Sequence, residues 1–328
     1  MSWNLSGHEW AEQLLAQHIR HGDIRHAYLI TGAPGIGRRS LTLELAMAVN
    51  CTQPPAPGEF CGECRSCRQI AKMQHPDLSI VEPEGEGGMI KVDQVRQLQH
   101  SLTLAPYEAR YRVALLCNFQ FANANAQNAL LKTLEEAPRQ VILLLTADSA
   151  ENLLPTIASR CEILRLRPLS AQHLEEKLVQ RWRFTPDDAR LYAHLSAGRP
   201  GIAIKLAADA QQQEKRNSWL DDFTRLFDMN IRERFAYAES INRARDTLRM
   251  ELQTWLSFSR DLFIIGSQSS TPLTNIDRID ELTALSEHVD QESCLAMIQA
   301  LQFSLEALDQ NANLRLLTDN LMLDLPQL

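Results

Sequence analysis

A short apolar run, then a glycine loop, then a helical stretch: this succession limits what the chain can fold into more than any other feature. The run is AYLIT (Ala27–Thr31), the loop is GAPGIG (32–37) and the helical stretch is RRSLTLELAMAV (38–49). The run has the length and content of a buried strand, so the order is that of a phosphate-binding unit, strand first, loop next, helix last. Further apolar runs predict strands at Leu78–Val81, 113–117, 141–146 and 163–166, with helices at Val92–Leu102 and 124–136 between them. Strands alternating with helices predict an α/β fold with a mostly parallel sheet covered on both faces. An amphipathic helix ahead of the first strand is expected to place Trp10, Leu14, Leu15 and Ile19 on one side.

After Pro168 the pattern changes. Residues 170–179 and 187–197 read as helices, and a third starts at Ile202 behind Gly198-Arg199-Pro200-Gly201. From about 211 onward apolar residues recur at helical spacing, as in Trp219, Phe223, Phe227 and Leu252, Leu256, Leu262. At 328 residues the chain is too long for a single core. The expected division is an α/β domain at 1–167, a small helical lid at 168–208 and an all-helical domain at 209–328. No apolar run long enough to span a membrane is present, and the start, MSWNLSGHEWAEQLL, lacks the basic and apolar regions of a leader, so the chain reads as cytoplasmic with no membrane contact. The net charge of -8 supplies no positive field over the chain, so contact with DNA is expected to be local or made through partners.

A phosphate-binding loop of the form G-x-x-x-x-G-K-[ST] uses its backbone amides and lysine on phosphates and its hydroxyl on magnesium. Gly32 and Gly37 hold that spacing, but Arg38 stands at the lysine position and Arg39 at the hydroxyl position. Ser40 is one residue late, about 100° around a helix. The strand RVALLCNF ends on Cys117 and Asn118, where hydrolysis would need carboxylates for magnesium and the attacking water. Gly32, Gly35, Gly37 and Arg38 are therefore the candidates for a degenerate phosphate site. Catalysis by this chain is not expected, whereas passive ATP binding through backbone amides stays open.

Cys51, Cys61, Cys64 and Cys67 form C-x9-C-x2-C-x2-C, a spacing that lets four thiolates surround one tetrahedral Zn2+. An iron-sulfur cluster is the alternative. With all four positions filled by thiolates no coordination position is left for activating water, so the expected role is structural. The other three cysteines read as buried apolar residues, and Glu135 and Glu136 as exposed charges near a helix end rather than a catalytic pair. Arg243, Arg245 and Arg249 read as a solvated helix face.

Two further stretches, NALLKTLEEAP (128–138) and LLPTIASRC (153–161), together with GAPGIG, the cysteine cluster, His75-Pro76-Asp77 and IKVDQVR (90–96), give the sequence its resemblance to the clamp-loader branch of the AAA+ superfamily. The resemblance covers the first domain and the start of the second. It implies a nucleotide-binding-like α/β domain with a zinc module, a lid, and a helical collar in which subunits join. Gly201 falls where active members carry a lid arginine that contacts nucleotide. Losses at the loop, at Cys117 and Asn118 and at Gly201 match the family's non-hydrolysing subunit type, and the runner-up is a divergent ATPase motor subunit that uses Arg38 for lysine. In that family the arginine of Ser-Arg-Cys enters the neighbouring subunit's ATP site, a role that passes here to Arg160. Implied partners are the gamma/tau and delta subunits of the bacterial DNA polymerase III clamp loader, the sliding clamp, and primed DNA through the assembled complex.

Overall fold

The computed structural model describes residues 3–84, 88–241, 244–310 and 312–327. In chain order, α1 (Glu9–His21) and β1 (Ala27–Thr31) lead through the glycine loop into α2 (Arg38–Asn50). Then come α3 (Arg65–Ala71), β2 (Leu78–Val81), α4 (Val92–Leu102), β3 (Arg112–Leu116) and α5 (Ala124–Glu135). They are followed by β4 (Val141–Ala147), α6 (Pro155–Ala158) and β5 (Glu162–Arg165). The strands form one parallel sheet in the order β2-β3-β4-β1-β5.

Every residue of β1, β3 and β4 is buried, because helices cover both sheet faces and leave no polar side to alternate with. Tyr28 and Ile30 pack toward α1 and α2, whereas Ala27 and Leu29 pack toward α4 and α5. One expectation fails at α1: its buried stripe is Ala11, Leu15 and Ala16, with Leu14 and Ile19 flanking. Trp10, about 100° of rotation before Ala11, is 47% exposed.

His75-Pro76-Asp77 builds the approach to β2. His75 is buried and its Nδ1 accepts the Asp77 N–H at 3.1 Å, so it is a turn residue. The Asp77 carboxylate accepts the backbone N–H groups of Tyr107, Glu108 and Ala109 and a bond from Arg112 Nη2 at 3.1 Å. Burial pushes its pKa up, but those four donors outweigh burial and hold it below the usual range.

The chain divides into two compact units, 1–177 with 199–202, and 178–198 with 203–328. All regular elements described after β5 are helical: α7 (Ala171–Trp182), α8 (Pro186–Leu195), α9 (Pro200–Ala208), α10 (Ala210–Asp228), α11 (Ile231–Ile241), α12 (Arg245–Gly266), α13 (Ile279–Ser286), α14 (Gln291–Asp309) and α15 (Leu314–Asp324). The second unit's core centres on Trp255, which stacks on Phe223 with ring centroids 4.8 Å apart. Arg245 corrects the solvated reading: its guanidinium donates to the carbonyls of Leu308 at 2.7 Å and Ala312 at 2.9 Å, joining the start of α12 to the end of α14. Arg249 is half-buried, and Arg243 lies outside the described residues. Among the described residues no helix is long and apolar enough to cross a membrane.

Candidate functional site

The glycine loop leaves the C-terminal end of β1, between β4 and β5, and Gly32 N–H is held by the carbonyls of Ala147 and Asp148. Gly32, Gly35 and Gly37 all have positive φ, so the backbone keeps the tight path that this loop type needs. At Gly35 the requirement is also spatial. Its carbonyl accepts the Gly201 N–H at 2.8 Å, and a Cβ at residue 201 would stand 2.8 Å from that oxygen. An arginine at position 201 could not be placed there without moving one of the two backbones.

Side chains close the site from within. Arg38 is turned into the ends of β3 and β4, where Nη1 donates to Asp148 Oδ1 at 2.6 Å and Nη2 to Asn118 Oδ1 at 3.1 Å. Asn118 has left-handed backbone geometry, and its N–H donates to Thr146 Oγ1 at 2.8 Å. Arg39 donates to Glu82 Oε1 at 2.5 Å, just past the end of β2. Cys117 is buried, and burial pushes its thiol up to about 12, so it carries no negative charge at neutral pH. Asp148 and Glu82, just past the ends of β4 and β2, each have an arginine of the loop's own helix as partner. Neither acid stood out in the sequence, because nothing local marks a charge partner 110 or 43 residues away.

Arg160 lies just beyond α6 and just ahead of β5, at the N-terminal end of the parallel sheet, opposite to the end from which the glycine loop leaves. Its Nη1 donates to Thr156 O at 2.9 Å and approaches Ser159 Oγ at 3.4 Å, while Nη2 donates to Glu135 Oε1 at 2.8 Å. The arginine side chain is 35% exposed and that of Glu135 is 52% exposed. Glu135 thus has a partner that its sequence position did not announce, while Glu136 is exposed, as expected. Of the three cysteines expected to be buried, Cys117 and Cys294 are; Cys161 is only partly covered, packed against the core of the α4 and α5 face.

The four clustered cysteines come together between α2 and α3. All four Sγ atoms lie within 4.8 Å of one another, and those of Cys51 and Cys61 are 3.6 Å apart. A tetrahedral zinc with bonds of about 2.3 Å requires sulfurs roughly 3.8 Å apart, so the set fits one ion. Backbone N–H groups of Cys61, Cys64 and Cys67 point at the sulfurs of Cys51, Cys61 and Cys64, at 3.2 to 3.4 Å. Gly62, at φ 73°, makes the turn between the second and third sulfurs. Burial raises the Cys67 thiol, whereas for Cys64 it is outweighed by bonds from Thr52 and the Cys67 N–H, and the value falls to about 6. Four thiolates this close repel one another unless a cation sits among them. The segment is anchored by Trp3, whose Nε1 donates to Gly58 O at 2.8 Å and whose ring meets Phe60 edge-on.

A parallel sheet with a glycine loop between strand and helix, carrying arginines where lysine and a hydroxyl would be, defines a phosphate-loop α/β protein with an altered site. Comparison with known proteins is more specific. Residues 7–170, half of the chain, match the family described as "DNA polymerase III, delta subunit". The DNA polymerase III subunit delta' of Bacillus subtilis is 27% identical over 318 residues, 96% of this chain and 95% of that one. The subunit delta' of Pseudomonas aeruginosa is 41% identical over 152 residues, 46% of each chain. The subunit tau of Escherichia coli is 33% identical over 172 residues, which are 52% of this chain and 26% of that one. The chain belongs to the delta-prime family of DNA polymerase III clamp-loader subunits.

Proposed function

We propose that this chain works in the clamp loader without hydrolysing ATP, and that it supplies Arg160 in trans to the ATP site of an adjacent gamma/tau subunit. The observation that carries the reading is the contrast between two arginines. Arg38, in the loop where a catalytic lysine would stand, is buried and paired with Asp148; Arg160, in Ser-Arg-Cys, remains partly exposed beside the sheet. A guanidinium brought to a neighbour's site would stabilise charge on the phosphoryl group in flight.

Within this reading the chain works as three modules, 1–167, 168–208 and 209–328, the second a lid and the third a collar joining delta and gamma/tau subunits. The assembled complex would place the sliding clamp on primed DNA. Cys51, Cys61, Cys64 and Cys67 would hold a structural Zn2+, which ties α3 to the end of α2. Gly32, Gly35, Gly37 and Arg38 form a degenerate phosphate loop in which Arg38 is already engaged by Asp148 and Asn118, so ATP binding is expected to be weak or absent.

The test is ATP turnover and nucleotide binding by the purified chain. No turnover above a Gly37→Val control is expected. Turnover that Gly37→Val abolishes would favour the opposing reading, a divergent motor subunit working through Arg38.

A further inference from the structure

Arg160 does not stand alone, and its surroundings suggest how it is kept ready. It follows the short helix α6, and two of its three hydrogen bonds go to the last turn of that helix, at Thr156 O and Ser159 Oγ. The third crosses to Glu135, the last residue of α5. The two helices are tied to each other by Gln127, a buried side chain on α5, whose Oε1 accepts the Leu154 N–H at 2.9 Å while its Nε2 donates to Ala122 O at 3.1 Å. Gln99 of α4 in turn holds α5 through the Ala129 carbonyl and Thr133 Oγ1, both at 2.8 Å. Glu135 is therefore a carboxylate at the end of a braced helix, and its one bond to Arg160 fixes the far end of a side chain that otherwise turns about four torsions.

We propose that Glu135 is a positioning residue for Arg160, holding the guanidinium in the orientation in which it meets a neighbouring subunit's phosphates. This rests on the finger reading above. A guanidinium has five N–H donors. The bonds to Thr156, Ser159 and Glu135 engage Nη1 fully and Nη2 once, which leaves donors on Nε and Nη2 without a partner among the described residues. A phosphate can thus be met without breaking the bond to Glu135. Ordering the side chain beforehand removes conformational freedom that would otherwise be lost on reaching the transition state. The competing effect is the negative charge of Glu135 beside an incoming anion; its 52% exposure lets water screen that charge, so orientation is the stronger influence.

The experiment is steady-state ATP turnover by the reconstituted loader with clamp and primed DNA, comparing Glu135→Ala, Glu135→Gln, Arg160→Ala and the double variant Glu135→Ala/Arg160→Ala, with Glu136→Ala as the adjacent control. Assembly and thermal stability are checked for each. Glu135→Ala is expected to lower kcat about two- to fivefold, the scale of a partly exposed ion pair, with little change in KM for ATP. Glu135→Gln, which keeps an acceptor oxygen, should recover part of that loss, and Glu136→Ala should match the unaltered loader. In the Arg160→Ala background the Glu135 substitution should have no further effect. Unchanged or faster turnover by Glu135→Ala would overturn the proposal, as would a loss of equal size in the Arg160→Ala background. Full turnover by Arg160→Ala with assembly intact would remove the finger itself, and the positioning role with it.

Discussion

Arg38 and Arg39 are adjacent in sequence and make ion pairs of nearly equal length, 2.6 Å to Asp148 and 2.5 Å to Glu82, yet the structure gives them different weights. The side chains of Arg39 and Glu82 are 46% and 43% exposed, so water and salt screen that pair and Arg39→Ala should cost about 0–1 kcal/mol. The side chain of Arg38 is 9% exposed and bonds to both Asp148 and Asn118. Arg38→Met keeps the apolar stem and removes only the guanidinium. Two hydrogen bonds from a buried charged donor are lost, each about 1.5–3 kcal/mol at most. Asp148 is 37% exposed and can regain water, which brings the expected cost to roughly 2–3 kcal/mol. Urea denaturation of the full chain, with hydrogen exchange at the β3 and β4 amides as the local readout, would measure both variants. A cost for Arg39→Ala equal to or above that of Arg38→Met would refute the claim that burial, rather than distance, decides what these arginines contribute. So would a cost for Arg38→Met within about 0.5 kcal/mol of zero, the range of ordinary surface substitutions.

Two other outcomes are expected. Elemental analysis of purified chain should find one zinc per chain, and chelation should raise hydrogen exchange across residues 51–71 while leaving β1 and β4 protected; protein that folds with this segment protected and no metal bound would contradict the assignment. Glu251 is buried in the second unit, where burial raises its pKa to about 7 against a bond donated by Tyr237 Oη at 2.7 Å. Its protonated form is favoured in the folded state, so this contribution to stability is present at low pH and lost as pH rises from the unfolded value of about 4.3 to about 7, by at most about 4 kcal/mol. Glu251→Gln should flatten stability between pH 5 and pH 8 and stabilise the chain at the upper end; an unchanged pH profile would contradict it.

Much of the α/β unit was legible because its signals are local. β2 and α4 have the bounds that their apolar patterns predict, and β3 and β5 are each displaced by one residue. The glycine loop and the cysteine spacing are likewise short-range patterns with one physical reading each. What escaped depends on distant pairing. The sheet order cannot be read from strands whose apolar runs are alike. The bonds from Arg38 to Asp148, Arg39 to Glu82 and Arg160 to Glu135 join residues that no periodicity connects. Arg245 looked solvated by composition, but the carbonyls it caps belong to a helix end more than 60 residues away. Trp10 shows the limit of counting apolar residues on a helix: the buried stripe follows the small Ala11 and Ala16, which pack closely, and the larger ring is left outside.

The central claim is that this chain completes a neighbour's active site. It is tested most directly by ATP turnover of the loader reconstituted with clamp and primed DNA, comparing the unaltered chain with Arg160→Ala once both are seen to assemble equally. The account predicts a large loss of turnover, at least tenfold, which corresponds to about 1.4 kcal/mol of transition-state stabilisation. Turnover unchanged by Arg160→Ala would contradict it and leave the chain a scaffold in the complex.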